Sequence, residues 1–200
     1  MLKLRSLLQY QPIFSLFQKL IAADRIKLLL VQNTKLKPGF KVLDVGCGFG
    51  NLLEFLPKNI SYVGIDISQN YINYAKKRYN SRGRFICADV TKLGLNREKF
   101  DVIFIGNLFH HLPDNDVEKL LKSLLHLIKK ETVVVSADNV YLKNQSFLSR
   151  FITSLDRGKH IRNKEGYLDL TKKYFPKVNY KIVSNLLNIP INQIFIWMGI

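Results

Sequence analysis

Lys41–Asn51, K-V-L-D-V-G-C-G-F-G-N, decides the fold. Val42, Leu43 and Val45 form a short apolar run bounded by turn residues, the pattern of a buried parallel strand. The run ends in three glycines at alternating positions, Gly46, Gly48 and Gly50. Glycine permits positive φ and lets a ligand touch the main chain. The next residues, N-L-L-E-F-L, have the pattern of a helix's first turns. Strand, glycine turn and helix together make a cradle for a nucleotide-like ligand near the helix N-terminus.

A dinucleotide fingerprint, G-x-G-x-x-G counted from Gly46, requires glycine at position 51, where the chain has Asn51. The spacing is D-x-G-x-G-x-G, with Asp44 two residues ahead of the first glycine. A carboxylate there opposes a pyrophosphate and suits a cation. S-adenosylmethionine (SAM) carries a sulfonium and an ammonium and no phosphate, so it suits that charge.

Outward from this stretch, strand and helix patterns alternate. Ile60–Asp66 predicts a second strand, ending in an acid 20 residues after Gly46, where doubly wound folds place a ribose-binding carboxylate. Ser68 reads as an N-cap, with Tyr71, Ile72 and Ala75 on one face of the next helix. Arg84–Val90 is a third strand carrying Asp89, and Phe100–Gly106 a fourth with Asn107 at its carboxyl end. A helix over Asp114–Lys130, capped by Asp114, precedes a fifth strand, Thr132–Ala137, that ends at Asp138. Residues 139–163 read as irregular and basic. A helix at 164–174 and two late strands, Val178–Ser184 and Ile191–Trp197, close the chain. The expected architecture is α/β: a doubly wound, seven-stranded sheet, mostly parallel with an antiparallel last strand, preceded by an N-terminal helical arm. Glycine turn, Asp66, Asp89, Asn107 and Asp138 all fall at strand carboxyl ends, where such sheets bind ligands.

Two hundred residues suffice for one domain, 1–200, with residues 1–37 as the arm and 139–163 as a basic insert on the substrate side. In the arm, Ile13, Phe17, Leu20, Ile21, Ile26, Leu29 and Leu30 recur at helical spacing. That pattern fits a helix packed on the sheet or over the pocket better than a basic helix lying on a membrane surface, which stays open as a peripheral contact. No apolar run reaches the ~18 residues of a spanning helix. Gln9–Pro12 cuts short the leucine run after Lys3 and Arg5, against a signal peptide. Two cysteines, Cys47 and Cys87, give neither a disulfide framework nor a metal site, so no metal and a cytoplasmic location are expected. The net charge is +16, unevenly spread: residues 1–41 and 140–200 each carry +7, while 42–139 carry +2. Part of the excess accompanies the general richness in Lys, Ile and Asn. Basic ends favour anionic partners: nucleic acid, acidic lipid, or a phosphorylated or carboxylated small molecule.

V-L-D-V-G-C-G-F-G, G-I-D-I-S, C-A-D-V and F-D-V-I-F-I-G-N-L-F-H-H-L-P, in this order and spacing, resemble class I SAM-dependent methyltransferases over about residues 40–200. The resemblance implies that Asp44 and the turn Gly46, Cys47, Gly48 and Gly50 hold the methionine moiety. It implies that Asp66 binds the ribose diol with Ile67 against adenine, and that Asp89 accepts from the adenine amino group with Val90 beside the ring. Asn107 would sit between the methionine end and the acceptor. The N-P-P-Y of enzymes that methylate exocyclic or amide nitrogens is absent, since Leu108, Phe109 and His110 follow Asn107. L-F-H-H-L-P resembles the small-molecule, biosynthetic branch, and L-D-R-G-K-H-I-R-N, residues 155–163, is similar to tails of small bacterial methyltransferases.

Methyl transfer is an in-line displacement in which alignment does most of the work. A general base is needed only when the acceptor arrives protonated. His110, His111 and His160 are the candidates, the last among Arg157, Lys159 and Arg162, which suit an anionic substrate. Each also has a structural reading, in loop packing or a solvated basic loop. The expected function is methyl transfer from SAM, with S-adenosylhomocysteine (SAH) as product, to a small anionic or lipid-like acceptor. An RNA or protein methyltransferase and a non-catalytic SAM-binding partner subunit remain alternatives, and oligomeric state stays open.

Overall fold

β1 (Lys41–Val45) is buried at every position but its first, β2 (Ser61–Asp66) at its four central ones, and β4 (Phe100–Gly106) at five of seven. Continuous burial of this kind marks strands covered on both faces. The protein was analysed as a computed structural model that describes residues 20–92 and 98–200. The first half of the expected N-terminal helix lies outside the described residues.

The sheet runs β3 (Arg84–Cys87), β2, β1, β4, β5 (Ile128–Tyr141), β8 (Gln193–Gly199), β7 (Lys177–Val183). β1 to β5 are parallel, and β8 lies antiparallel between β5 and β7. Of the two late strands, then, only the last runs against the others. The two-residue β6 (Arg162–Asn163) adds to the end of β5, pairing Val140 with Arg162 and Tyr141 with Asn163.

Successive strand residues point to opposite faces and so feed two cores. Leu43, Ile65, Ile103 and Ile105 pack with Val117, Leu120, Leu121 and Leu124 of α3 (Asp114–Leu124) and with Tyr167 and Leu170 of α5 (Lys164–Lys172). Val42, Tyr62, Phe104 and Val135 pack with Ile26 and Leu30 of α1 (Asp24–Gln32) and with Ile72 and Ala75 of α2 (Gln69–Tyr79). The described part of the N-terminal arm is thus a packed helix. Asn188 fastens its start by donating to the carbonyls of Leu20 and Ile21.

Several expectations are corrected. N-L-L-E-F-L forms a 3-10 turn, Asn51–Phe55, rather than an α-helix. The helix expected to reach Lys130 stops at Leu124, and β5 begins at Ile128. Because β5 runs on to Tyr141, Asp138 is not past the end of the fifth strand but inside it, 1% exposed. Pro113 occupies the N-cap and Asp114 is the first helical residue. Residues 139–163 are largely regular: β5 extends to Tyr141, α4 (Phe147–Ser154) follows, and β6 ends the segment. Ser68 caps α2 as expected, its hydroxyl accepting from Tyr71 N.

Candidate active site

Strand order reverses between β1 and β4, which opens a crevice at the carboxyl ends of the strands. The glycine turn fills one side of it. Gly46, Gly48 and Gly50 have φ of +74°, +53° and +76°. The amides of Gly46 and Cys47 both donate to Ile65 O, at 2.8 and 2.9 Å, which binds the turn to the end of β2. A Cβ on Gly46 would meet Leu108 Cδ1 at 3.1 Å, and one on Gly50 would meet Phe85 Cε1 at 2.8 Å. Asp66 reaches into the turn: Oδ2 accepts from Gly48 N at 2.9 Å and Oδ1 from Ser68 N at 2.8 Å. Each oxygen then holds one main-chain donor and keeps acceptor capacity for another.

The other expected cofactor residues surround this pair. Asp44 is buried beneath the turn, its Oδ2 accepting from the Tyr62 hydroxyl at 2.7 Å. Burial pushes its carboxyl up to about 7, against the opposing pull of that hydroxyl. Cys47 is buried against the bare main chain of Gly64, and burial pushes its thiol far up. Ile67 stands 73% exposed just past β2. Asp89 lies two residues beyond β3, where Oδ1 accepts from Thr91 N and Thr91 Oγ1, holding its carboxyl below the usual range. Val90 is buried beside it. Asn107, exposed and at φ +53°, turns the chain after β4 while its amide donates to Ala137 O at 2.7 Å.

Across the crevice the network is of another kind. Asp138 Oδ1 accepts from His110 N at 3.1 Å and lies 2.7 Å from His110 Nδ1. The far nitrogen, Nε2, faces Asp156 Oδ1 at 3.4 Å, and that oxygen also accepts from Gly158 N at 2.6 Å. Burial works to lower the His110 imidazole, but the two carboxylates raise it above its ordinary value. Gly158 lies so close that a Cβ there would fall 2.0 Å from His110 Cδ2. His111 is exposed, its ring centroid 4.3 Å from that of His110, and partial desolvation with the neighbouring imidazole lowers it to about 4. Ligating atoms of His110, His111 and Asp156 lie within 4.8 Å of one another, but both nitrogens of His110 already face carboxylates.

His160 joins this cluster through its main chain, donating to His110 O at 2.9 Å. Arg162, grouped from the sequence with anion-binding residues, is a structural clamp. Its Nε and Nη2 donate to Asp114 Oδ1, its Nη1 to Phe109 O and His160 O, and its Nη2 also to Leu112 O. Arg157 and Lys159 instead line a cavity of about 330 Å³ with Tyr141, Ser154, Asp156, Gly158 and Ile161. Asp156, Tyr62 and Tyr141 were not singled out from the sequence. Only Asp156 left a local signal there, an acid two residues before a glycine, the spacing of a turn in which the side chain accepts from the main chain.

Comparison with known proteins bears on the fold and on residues 42–131. Residues 42–131, from β1 into β5, match the family model for a methyltransferase domain. The ubiquinone biosynthesis O-methyltransferase of Coxiella burnetii is 32% identical over 108 residues, 52% of this chain and 45% of that protein. The chain spans about half the length of the curated relatives it matches. Among solved structures, an S-adenosylmethionine-dependent methyltransferase from Clostridium acetobutylicum superposes with a TM-score of 0.68 at 18% identity, covering 95% of this chain and 99% of that one. A phosphoethanolamine N-methyltransferase 2 from Haemonchus contortus, solved with phosphomonomethylethanolamine and S-adenosylhomocysteine, gives 0.70 at 17% identity, over 86% and 52% of the chains. Residues 42–131 thus match a methyltransferase domain, and the chain has the fold of class I, Rossmann-like methyltransferases of known structure.

Proposed function

We propose that the protein transfers a methyl group from SAM to a small acceptor that is anionic or lipid-like. The observation that carries this reading is the bond between Gly48 N and Asp66, which joins a glycine-rich turn to a carboxylate with acceptor capacity to spare. A cradle that a Cβ would fill, beside a ribose-binding acid and without phosphate-binding spacing, suits a sulfonium nucleoside. SAM supplies an activated methyl on a good leaving group. Asp66 would hold the ribose hydroxyls and Ile67 would cover the adenine, with Asp89 and Val90 at its edge. Asp44, below the turn, would tune its charge through Tyr62. Asn107 and the loop after it would present the acceptor in line.

Among the three histidines, His111 is our choice for a proton acceptor, because at neutral pH its imidazole is neutral and exposed. His110 has both nitrogens committed to carboxylates. Support for an anionic acceptor comes from Arg157 and Lys159 in the neighbouring cavity, and from the acceptor named in the Haemonchus contortus complex.

Calorimetry with SAH tests the donor site. Asp66→Ala should weaken binding by about 100-fold, the scale of two hydrogen bonds to a charged acceptor. Unchanged affinity would refute the assignment. His111→Ala should lower turnover while leaving SAH affinity intact.

A further inference from the structure

α4 is packed inside out. An ordinary surface helix turns its apolar stripe to the core and its polar face to water. Here the fully buried positions are Ser149 and Thr153. Thr153 Oγ1 donates back to Ser149 O, and Ser149 Oγ accepts from Gln145 Nε2 and Asn192 Nδ2. Ile152 packs partly against the core, but the other large apolar residues point away: Phe147 is 86% exposed, Leu148 58%, Phe151 53% and, just past the helix, Leu155 49%. At 100° per residue these four occupy a single stripe along the helix. They account for four of the ten large hydrophobics exposed among the described residues. Two aromatic rings and two leucines thus share one outward stripe that is at least half exposed along most of its length among the described residues.

The surroundings identify the occupant. Exposed Lys143, Arg150, Arg157 and Lys159 flank the stripe, and residues 140–163 contain one acid, Asp156, which is turned inward toward His110 and Gly158. Arg150 lies over the Tyr141 ring at 5.4 Å, beside the stripe. An apolar strip bordered by cations on one short helix fits an interface that is apolar within and anionic at its surface. A nucleic acid would use the cations and leave the phenylalanines in water. A second copy of this chain would bring its own cations against these, because the protein carries +16.

We propose that α4 docks the protein onto an anionic lipid bilayer, with Phe147, Leu148, Phe151 and Leu155 in the acyl–headgroup boundary and the flanking Lys and Arg on lipid phosphates. Ser154, Asp156 and Arg157, at the foot of the same helix, line the 330 Å³ cavity, so docking sets that cavity beside the membrane surface. The sequence pointed to the N-terminal arm for such a contact; among the described residues the exposed stripe is on α4 instead.

The test is co-sedimentation with vesicles of equimolar phosphatidylglycerol and phosphatidylcholine, against vesicles of phosphatidylcholine alone. The wild-type protein should bind the anionic vesicles, and binding should weaken as salt is added. Phe147→Ser/Phe151→Ser should weaken it by about tenfold or more with an unchanged melting temperature, since both rings are in solvent. The proposal is overturned if the wild type stays in the supernatant with anionic vesicles, or if the double variant binds as well as the wild type. It is equally overturned if the variant's only effect is to dissociate a dimer, which would make the stripe an interface between copies. SAH calorimetry without vesicles reports on the methyl-donor reading separately.

Discussion

The two walls of the crevice are built on opposite plans. On the donor wall, Asp66 and Asp89 each accept from main chain two residues on, at Ser68 and Thr91, and the longer ties, Gly48 N to Asp66 and Tyr62 to Asp44, span 18 residues. On the acceptor wall, charges are tied over long distances. Asp138 is 28 residues from His110, and Arg162 is 53 from the Phe109 carbonyl it holds. The donor wall leaves its carboxylates with acceptor capacity free for a ligand. The acceptor wall uses its buried charges against one another, while His111, Arg157 and Lys159 are exposed at its surface.

If that contrast is correct, the largest stability effects belong to the acceptor wall. Asp138→Ala would strip the His110 ring of its buried partner and leave Asp156 alone beside it. Chemical denaturation should show a loss of about 3–5 kcal/mol. Asp66→Ala, by contrast, should cost little stability and most of the SAH affinity, and equal losses of stability from both would erase the distinction.

The next effect is a pH dependence from the donor wall's one deeply buried acid. Asp44 titrates near 7 in the fold and near 3.8 when unfolded, so between those values the folded state holds the extra proton. Stability therefore falls as pH rises from about 4 to about 7, by up to about 4 kcal/mol at ~1.4 kcal/mol per unit. Asp44→Asn should flatten melting temperature across that window, and an unchanged slope would place the proton elsewhere.

Arg162→Lys is expected to be milder. Lysine keeps the charge but cannot serve Asp114 and three carbonyls at once, so a loss of about 1–2 kcal/mol should appear in denaturant titration. His160→Ala should fall within about 0.5 kcal/mol of wild type, because the contact to His110 is made by its main chain.

The same contrast explains what could be read in the sequence. Strand, glycine turn and acid lie close together in the chain, so the strands β1, β2, β3 and β4, the glycine turn and the place of Asp66 at the end of β2 were legible from spacing. The boundary between α3 and β5 was not. Leu120, Leu121, Leu124, Leu125 and Ile128 keep helical spacing across the boundary, so the period carries the helix pattern into the start of β5. Asp138 lies within the strand rather than after it because β5 runs on to Tyr141. Arg162 among Lys159 and His160 had the composition of an anion site, and only the fold shows that carbonyls already surround it. Residues 139–163 read as irregular in the sequence, which yields neither α4 nor the direction in which its apolar stripe faces.

Leu108 touches both walls. It stands one residue past Asn107 and presses its methyl groups under Gly46, at the distance where a Cβ would sit 3.1 Å away. It also begins the loop that carries His110 and His111. An acceptor that settles this loop would thereby settle the floor of the donor turn, and the coupling must be reciprocal: whatever factor the acceptor adds to donor affinity, the donor adds to acceptor affinity. In kinetic terms, the two substrates should bind as a synergistic pair rather than independently, and the side chain at position 108 should set how strongly.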